Sequence, residues 1–339
     1  MSTLRVSVLD LVGMKPGDTS SAAIARTVQT AQHVERLGYQ RFWLAEHHSI
    51  GGLACSATVI LIGHVAQQTS TIRVGSGGIM LPNHAPLVVA EQFGTLEALY
   101  PHRIDLGLGR APGSDQPTMR ALRRGLSSTG DDFPQLVDEL QQYLGAPKPG
   151  QIVHAIPGEN TNVPITLLGS SGFSAQLAGQ LGLPFAFAAH FAPQYAQQAM
   201  ELYRHHFRPS ATLDKPYAMV GLPVLAADTE AQARRLLTTP QQRFLALVRN
   251  QPVELKPPVD TMEGLWNPME REAVEGRLAL AVVGDAAAVQ ARLQRITDWL
   301  GVDEVLAVTD TYEQSDRLRS YEILAEVAKN ITVKEPATA

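Results

Sequence analysis

The chain has 339 residues, of which 45% are hydrophobic and 18% charged, and its 28 Lys+Arg against 33 Asp+Glu give a net charge of −5. A charged fraction below the roughly 25% of an average soluble protein excludes a disordered chain. The acidic balance, with no basic cluster beyond pairs such as Arg123-Arg124 and Arg234-Arg235, argues against a nucleic-acid partner. The single cysteine, Cys55, excludes an internal disulfide and a dithiol redox pair and fits a reducing cytoplasm. Any redox chemistry must therefore borrow a cofactor. No apolar run reaches about 18 residues, so no membrane span is expected.

Residues 4–11 read as a first strand and not as a signal peptide. Ile24, Val28, Ala31 and Val34 share one face of a helix over 22–37. A second strand follows at 41–45, a helix at 54–68, a third strand at 72–79 and a helix at 86–99. The fourth strand spans 104–108, and one short helix lies near 133–144. The fifth strand covers 164–168 and leads to a helix that begins near Ser174. Strands at 184–188, 217–226 and 303–308 follow, and a helix over 313–329 closes the pattern. Three times an apolar helix stops at Leu-Gly just before a strand, at Leu37-Gly38, Leu181-Gly182 and Leu300-Gly301. Glycine tolerates the left-handed conformation that ends a helix.

About eight strands alternating with helices imply a parallel sheet, and eight such units favour an α/β fold of the (β/α)8 TIM-barrel type over an open doubly wound sheet. Residues 1–333 are expected to form one domain, with 334–339 a disordered tail. Prolines interrupt the rhythm at about 109–163 and 238–283, stretches expected to be irregular lids or binding loops. Trp266, Met262 and Met269 are expected to pack within the second of these.

In a barrel of this kind the active site lies at the C-terminal ends of the strands. The second strand runs into Glu46-His47-His48, and the third into Gly75-Ser-Gly77-Gly78 and Met80-Leu-Pro-Asn83-His84. The fourth runs into Gly107-Leu-Gly109-Arg110, the fifth into Gly169-Ser170-Ser171-Gly172-Phe173-Ser174, and the sixth into His190-Phe191. A Gly/Ser loop opening a helix offers backbone N–H groups to an anion, with Ser170, Ser171 and Ser174 as added donors. No Gly-Lys-Ser/Thr follows, so the loop suits a phosphate monoester and not a nucleoside triphosphate. Gly107-x-Gly109-x-x-x-Gly113 has the wrong spacing for a dinucleotide loop, and Arg110 is better placed as a phosphate clamp. His47 and His48 are adjacent on an extended chain and point to opposite faces. No metal site is expected from them; a histidine base or hydrogen-bond donor is.

Ala-Glu-His-His after a strand; Gly-Ser-Gly-Gly-x-x-Leu-Pro-x-x-x-Pro with Ala90-Glu91-Gln92; Arg103-Ile-Asp-Leu-Gly-Leu-Gly-Arg110; and Leu-Gly-Ser-Ser-x-x-Ser-Ala-x-Leu-Ala with Leu181-Gly-Leu-Pro184 occur in this order. Together they resemble the bacterial luciferase-like flavin monooxygenase superfamily from about residue 4 to residue 328. The resemblance implies a TIM barrel that binds FMN, with Ser170, Ser171 and Ser174 holding the phosphate and Arg110 pairing with it. It implies a non-prolyl cis peptide at Gly77-Gly78 beneath the flavin ring. It implies catalysis by His47, supported by His48 and Glu46. It further implies reduced FMN from a transient flavin reductase, O2, a small organic substrate and a homodimer. A reactive cysteine precedes the arginine in the light-emitting members. Gly109 stands there instead, which argues against light emission. A deazaflavin-dependent dehydrogenase or reductase, a flavin-binding protein without turnover, and a metal-dependent barrel hydrolase are the competing readings.

Overall fold

The computed structural model describes residues 2–111, 116–122 and 130–333. Its centre is a ring of parallel strands: β1 (Arg5–Asp10), β2 (Arg41–Leu44), β3 (Arg73–Met80), β4 (Ile104–Gly109), β5 (Ile165–Gly169), β6 (Phe185–Phe187), β7 (Ala218–Ala226) and β8 (Glu304–Val308). Each strand pairs with the next in the chain. β8 pairs with β7 on one side, Leu306 opposite Gly221, and with β1 on the other, Leu306 opposite Ser7. The ring is thus closed, and the open sheet is excluded.

The surrounding helices are α1 (Ser20–Arg36), α2 (Thr58–Gln67), α3 (Pro86–Leu99), α4 (Gln116–Leu122), α5 (Phe133–Leu144), α6 (Gly172–Leu181), α7 (Ala196–His206), α8 (Glu230–Val248), α9 (Pro268–Arg277), α10 (Ala286–Leu300) and α11 (Gln314–Ala328). All three Leu-Gly stops hold, with Gly38, Gly182 and Gly301 at φ 81°, 62° and 62°. Phe42, Trp43 and Leu44 are fully buried, as expected of a strand covered on both faces. Ser2–Thr3 and Thr332–Val333 pair antiparallel and bring the two ends of the described chain together.

Two expectations need correcting. The stretch 238–283 is not irregular throughout. α8 carries Pro240 inside it and runs on to Val248. α9 opens with a capping box in which Asn267 and Glu270 each satisfy the other's backbone N–H. Leu245, Met262, Val274 and Leu278 form a small core there with Trp266 against it, but Met269 is 81% exposed and packs against nothing of that core. Within 109–163, α5 follows the expected bounds and α4 adds a turn or two of helix. Arg123, Arg124, Gly113 and the expected tail at 334–339 lie outside the described residues.

The N-terminal end of the barrel is tied by buried charge. Arg41 on β2 donates through Nε to Glu304 on β8 and through Nη1 to Asp105 on β4, each at 2.8 Å. Arg73 on β3 donates through Nε to the other oxygen of Asp105 at 2.8 Å. Trp43 Nε1 donates to Asp105 at 3.0 Å, and the Tyr217 hydroxyl donates to Glu304 at 2.6 Å. Burial lowers the Arg41 guanidinium, but Glu304 and Asp105 outweigh it and hold the group above its usual value. Removing one partner of a buried network leaves its neighbours uncompensated. Arg41→Met should therefore lower the unfolding free energy from urea denaturation by about 3–5 kcal/mol. A loss below about 1 kcal/mol would show that the network contributes little to stability.

Candidate functional site

A cavity of about 830 Å³ opens at the C-terminal ends of the strands, and His47, His48, Gly77, Gly78, Arg110, Ser170, Ser171 and Ser174 all line it. The barrel therefore brings these residues from separate strand ends into one site, of a size typical for small-molecule pockets (~300–1,000 Å³).

The floor is bare backbone. β3 pairs with β4, and the register shifts between Ser76 and Ile79. The Gly77-Gly78 peptide within that shift is cis. A Cβ on Gly78 would lie 2.7 Å from the carbonyl oxygen of Gly107, and one on Gly77 would lie 2.6 Å from Leu9 Cδ1. A side chain at Gly78 would collide with backbone, and one at Gly77 would have to displace Leu9. A flat molecule can thus lie directly on the chain.

One end of the cavity has groups that could hold an anion. β5 ends at Gly169, and Ser171 occupies the N-cap of α6 without a side-chain capping bond. The first N–H groups of a helix have no partner within it and carry partial positive charge. Ser174 is buried in the first turn of α6 and still lines the cavity. The Arg110 guanidinium sits 4.2 Å from the ring centroid of Phe173, beside the same helix start.

The histidine side rests on Glu46, which is 1% exposed. One carboxylate oxygen, Oε1, lies 2.8 Å from His48 Nε2 and 2.9 Å from His84 Nε2, and Oε2 accepts from the Met80 N–H at 3.1 Å. Burial raises the Glu46 carboxyl, but His84, His48 and the Met80 N–H outweigh it, and the group lies below its usual value. Glu46 is therefore an ionised anchor that joins the histidine motif to the end of β3. His48 and His47 both line the cavity, contrary to the expected opposite faces. β2 ends at Leu44, so strand alternation no longer governs them. His84 was visible in the sequence, but nothing there pointed to its partner.

His47 packs edge-on against Phe191, ring centroids 6.2 Å apart, and Phe191 packs on His190 at 4.3 Å. Burial lowers the His190 imidazole to about 4; the nearby His47 and Arg243 push the same way, while the Gly221 carbonyl and Asp310 oppose them. His190 is thus neutral in the physiological range and cannot serve there as a cation. Cys55 is fully buried, and burial pushes its thiol up to about 12, so it packs and does not react. Among the described residues, no group of three or more His, Cys, Asp and Glu is arranged to hold a metal ion, and no helix is long and apolar enough to cross a membrane.

The sequence model of one family, described as luciferase-like monooxygenase, matches residues 4–304. The uncharacterised protein YvbT of Bacillus subtilis (strain 168) is 54% identical over 329 residues, covering 96% of this chain and 97% of that one. A luciferase-like monooxygenase of Escherichia coli (strain K12) is 48% identical over 329 residues, covering 97% and 98%. The crystal structure of apo-MsnO8 matches with a TM-score of 0.89 at 36% identity, covering 98% of this chain and 100% of that one. Two more distant structures share the fold. One is the oxygenating constituent of 3,6-diketocamphane monooxygenase of Pseudomonas putida in complex with FMN, with TM-score 0.75 at 17% identity, covering 98% of this chain and 100% of that one. The other is an F420-dependent secondary alcohol dehydrogenase with an F420–acetone adduct, with TM-score 0.69 at 12% identity, covering 96% and 99%.

The burial of His190 has a measurable consequence. A histidine held below its unfolded value of ~6.5 contributes stability that is complete above that pH and is lost as the pH falls toward the folded value. An NMR titration should place the His190 midpoint near 4, and wild-type stability should fall between about pH 6.5 and 4 more than that of His190→Gln. A midpoint near 6.5 would contradict the buried, neutral assignment.

Proposed function

The chain belongs to the luciferase-like monooxygenase family, and on that premise we propose that it is an FMN-dependent monooxygenase of the two-component kind. Reduced FMN would come from a separate flavin reductase, and one atom of O2 would pass to a small organic substrate. The observation that carries this reading is the pairing, in one cavity, of the bare Gly77-Gly78 floor with the anion-binding start of α6.

The residues fit the group. Both floor glycines line the cavity and carry no side chain to stand between the backbone and a flat ring. The α6 N–H groups, the hydroxyls of Ser170, Ser171 and Ser174, and Arg110 suit a terminal phosphate, which accepts several charge-assisted hydrogen bonds. When bound, FMN supplies the redox chemistry and the reaction with O2. The protein supplies the rest. The phosphate end fixes position, and the glycine floor permits close approach. The imidazole of His47, on the cavity wall beside that floor, gives or takes a proton at a ring nitrogen. Glu46 holds His48, His84 and the end of β3 in register through its carboxylate. Leu9, Leu168, Phe187 and Leu306 line the cavity with apolar surface that limits water. A deazaflavin with an extended phosphodiester tail makes less use of a terminal four-donor end, which favours FMN.

Titration of the protein with FMN, read by flavin fluorescence, should give one site per chain. Arg110→Ala with Ser171→Ala should weaken that binding by about 3 kcal/mol, from charged hydrogen bonds worth ~1.5–3 kcal/mol each. His47→Ala should bind FMN as wild type does and lose substrate-dependent oxygen consumption with a reductase present. Tighter binding of the deazaflavin than of FMN would replace the reading with a dehydrogenase or reductase. FMN binding without turnover on any substrate would leave a flavin-binding protein.

A further inference from the structure

Behind the histidine wall lies a second, smaller cavity of about 90 Å³. On the same measure one water needs ~10–15 Å³, so the space holds a short chain of heavy atoms. It shares His47, His190 and Phe191 with the large cavity. Its far walls are Pro223 and Leu225 of β7, Val308 of β8 and Phe244 of α8. Two side chains break this apolar lining. Arg243 on α8 is 6% exposed, and its Nη1 lies 2.5 Å from the carboxylate of Asp310, just after β8.

That carboxylate is the sole polar partner of Arg243 among the described residues, and Nη1 makes no aligned hydrogen bond. A guanidinium has five N–H donors in a fixed fork. On Arg243, Nη1 is the nitrogen that is both fully buried and without an aligned hydrogen bond, and the remaining donors, on a side chain that lines the cavity, meet no acceptor from the described residues. A ligand in the cavity that brings an acceptor satisfies them. Charge bookkeeping narrows the ligand. Asp310 already neutralises Arg243, and the neighbouring pair Arg317–Asp10, 3.1 Å apart, is likewise balanced. His190 adds no charge. An anionic ligand would leave an uncompensated negative charge in an apolar pocket, and a cationic one would face the guanidinium. A neutral acceptor does neither.

We propose that the small cavity is the substrate pocket, and that it takes a short, mainly apolar molecule whose neutral carbonyl oxygen accepts a hydrogen bond from Arg243. The body of the molecule lies against Leu225, Val308 and Phe244, and its open end meets His47 and Phe191 at the border of the large cavity. The assignment rests on the reading of that larger cavity as the FMN site.

Three probes of equal carbon number test it: pentan-2-one, pentanoate and pentylamine, measured by ligand-observed NMR on the protein with and without FMN. The expected order puts pentan-2-one at least about tenfold tighter than either charged probe. Arg243→Leu combined with Asp310→Leu removes both charges together and leaves neither orphaned. It should weaken pentan-2-one at least about tenfold and leave FMN affinity unchanged. Leu53→Phe narrows the pocket from the loop side without touching the ion pair and should also abolish probe binding, which keeps the test open if the double variant does not fold. Tighter binding of pentanoate, unchanged ketone binding in both variants, or no binding of any probe would overturn the proposal. Probe binding to the flavin-free protein judges this pocket alone, whereas failure of the parallel FMN titration would count against the larger cavity's assignment.

Discussion

Between β3 and β4 the backbones run so close that a Cβ on Gly107 would lie 2.1 Å from the carbonyl oxygen of Ser76, and one on Gly75 would lie 2.2 Å from that of Asp105. Only glycine satisfies this approach. The register of the two strands shifts at Gly77-Gly78, and these glycines leave the cavity floor without side chains. Everything polar in the site is arranged around that floor. Glu46 fastens the end of β3 to the histidine motif, and the loop after β5 brings the start of α6 to the opposite side. The site is thus a property of where two strands are allowed to touch.

The two ends of the barrel use charge differently. At the N-terminal end, Arg41, Arg73, Asp105 and Glu304 are matched by several short hydrogen bonds and stitch four strands together. Such an arrangement, at the end of the barrel away from the strand C-termini, serves the fold and not chemistry. At the C-terminal end two arginines have few partners among the described residues. Arg110 stacks on a ring, and Arg243 meets a single carboxylate. Donors that face the cavity are available to a ligand, whereas the satisfied donors at the other end hold the frame that presents them.

Much of this was legible in the sequence, because the signals were local. Leu37-Gly38, Leu181-Gly182 and Leu300-Gly301 mark helix ends whatever the rest of the chain does, since only the last turn decides them. The motifs after the strands were equally local, and barrel closure then brought them together. What was not legible depends on tertiary context. Pro240 reads as a helix breaker, yet α8 continues through it, with the proline buried. Pro268 reads the same way, although Asn267-Pro268-x-Glu270 is a helix start, with the proline at the first turn and the capping box around it. α7 went unrecognised because its buried face is built from Ala199, Met200 and Tyr203 and not from a run of large aliphatics. The pairings of His84 and Arg243 were invisible for a different reason. Their partners, Glu46 and Asp310, lie 38 and 67 positions away (84 − 46 and 310 − 243), and only closure of the ring makes them neighbours.

On the proposed reading, the bare glycine floor and the helix start of α6 together hold FMN in one orientation. A crystal structure of the protein with FMN tests it most directly. The account predicts the phosphate on the α6 N–H groups among Ser170, Ser171, Ser174 and Arg110, and the ring system flat against Gly77-Gly78 with His47 beside it. A phosphate bound elsewhere, or a ring held away from the Gly77-Gly78 peptide, would contradict it.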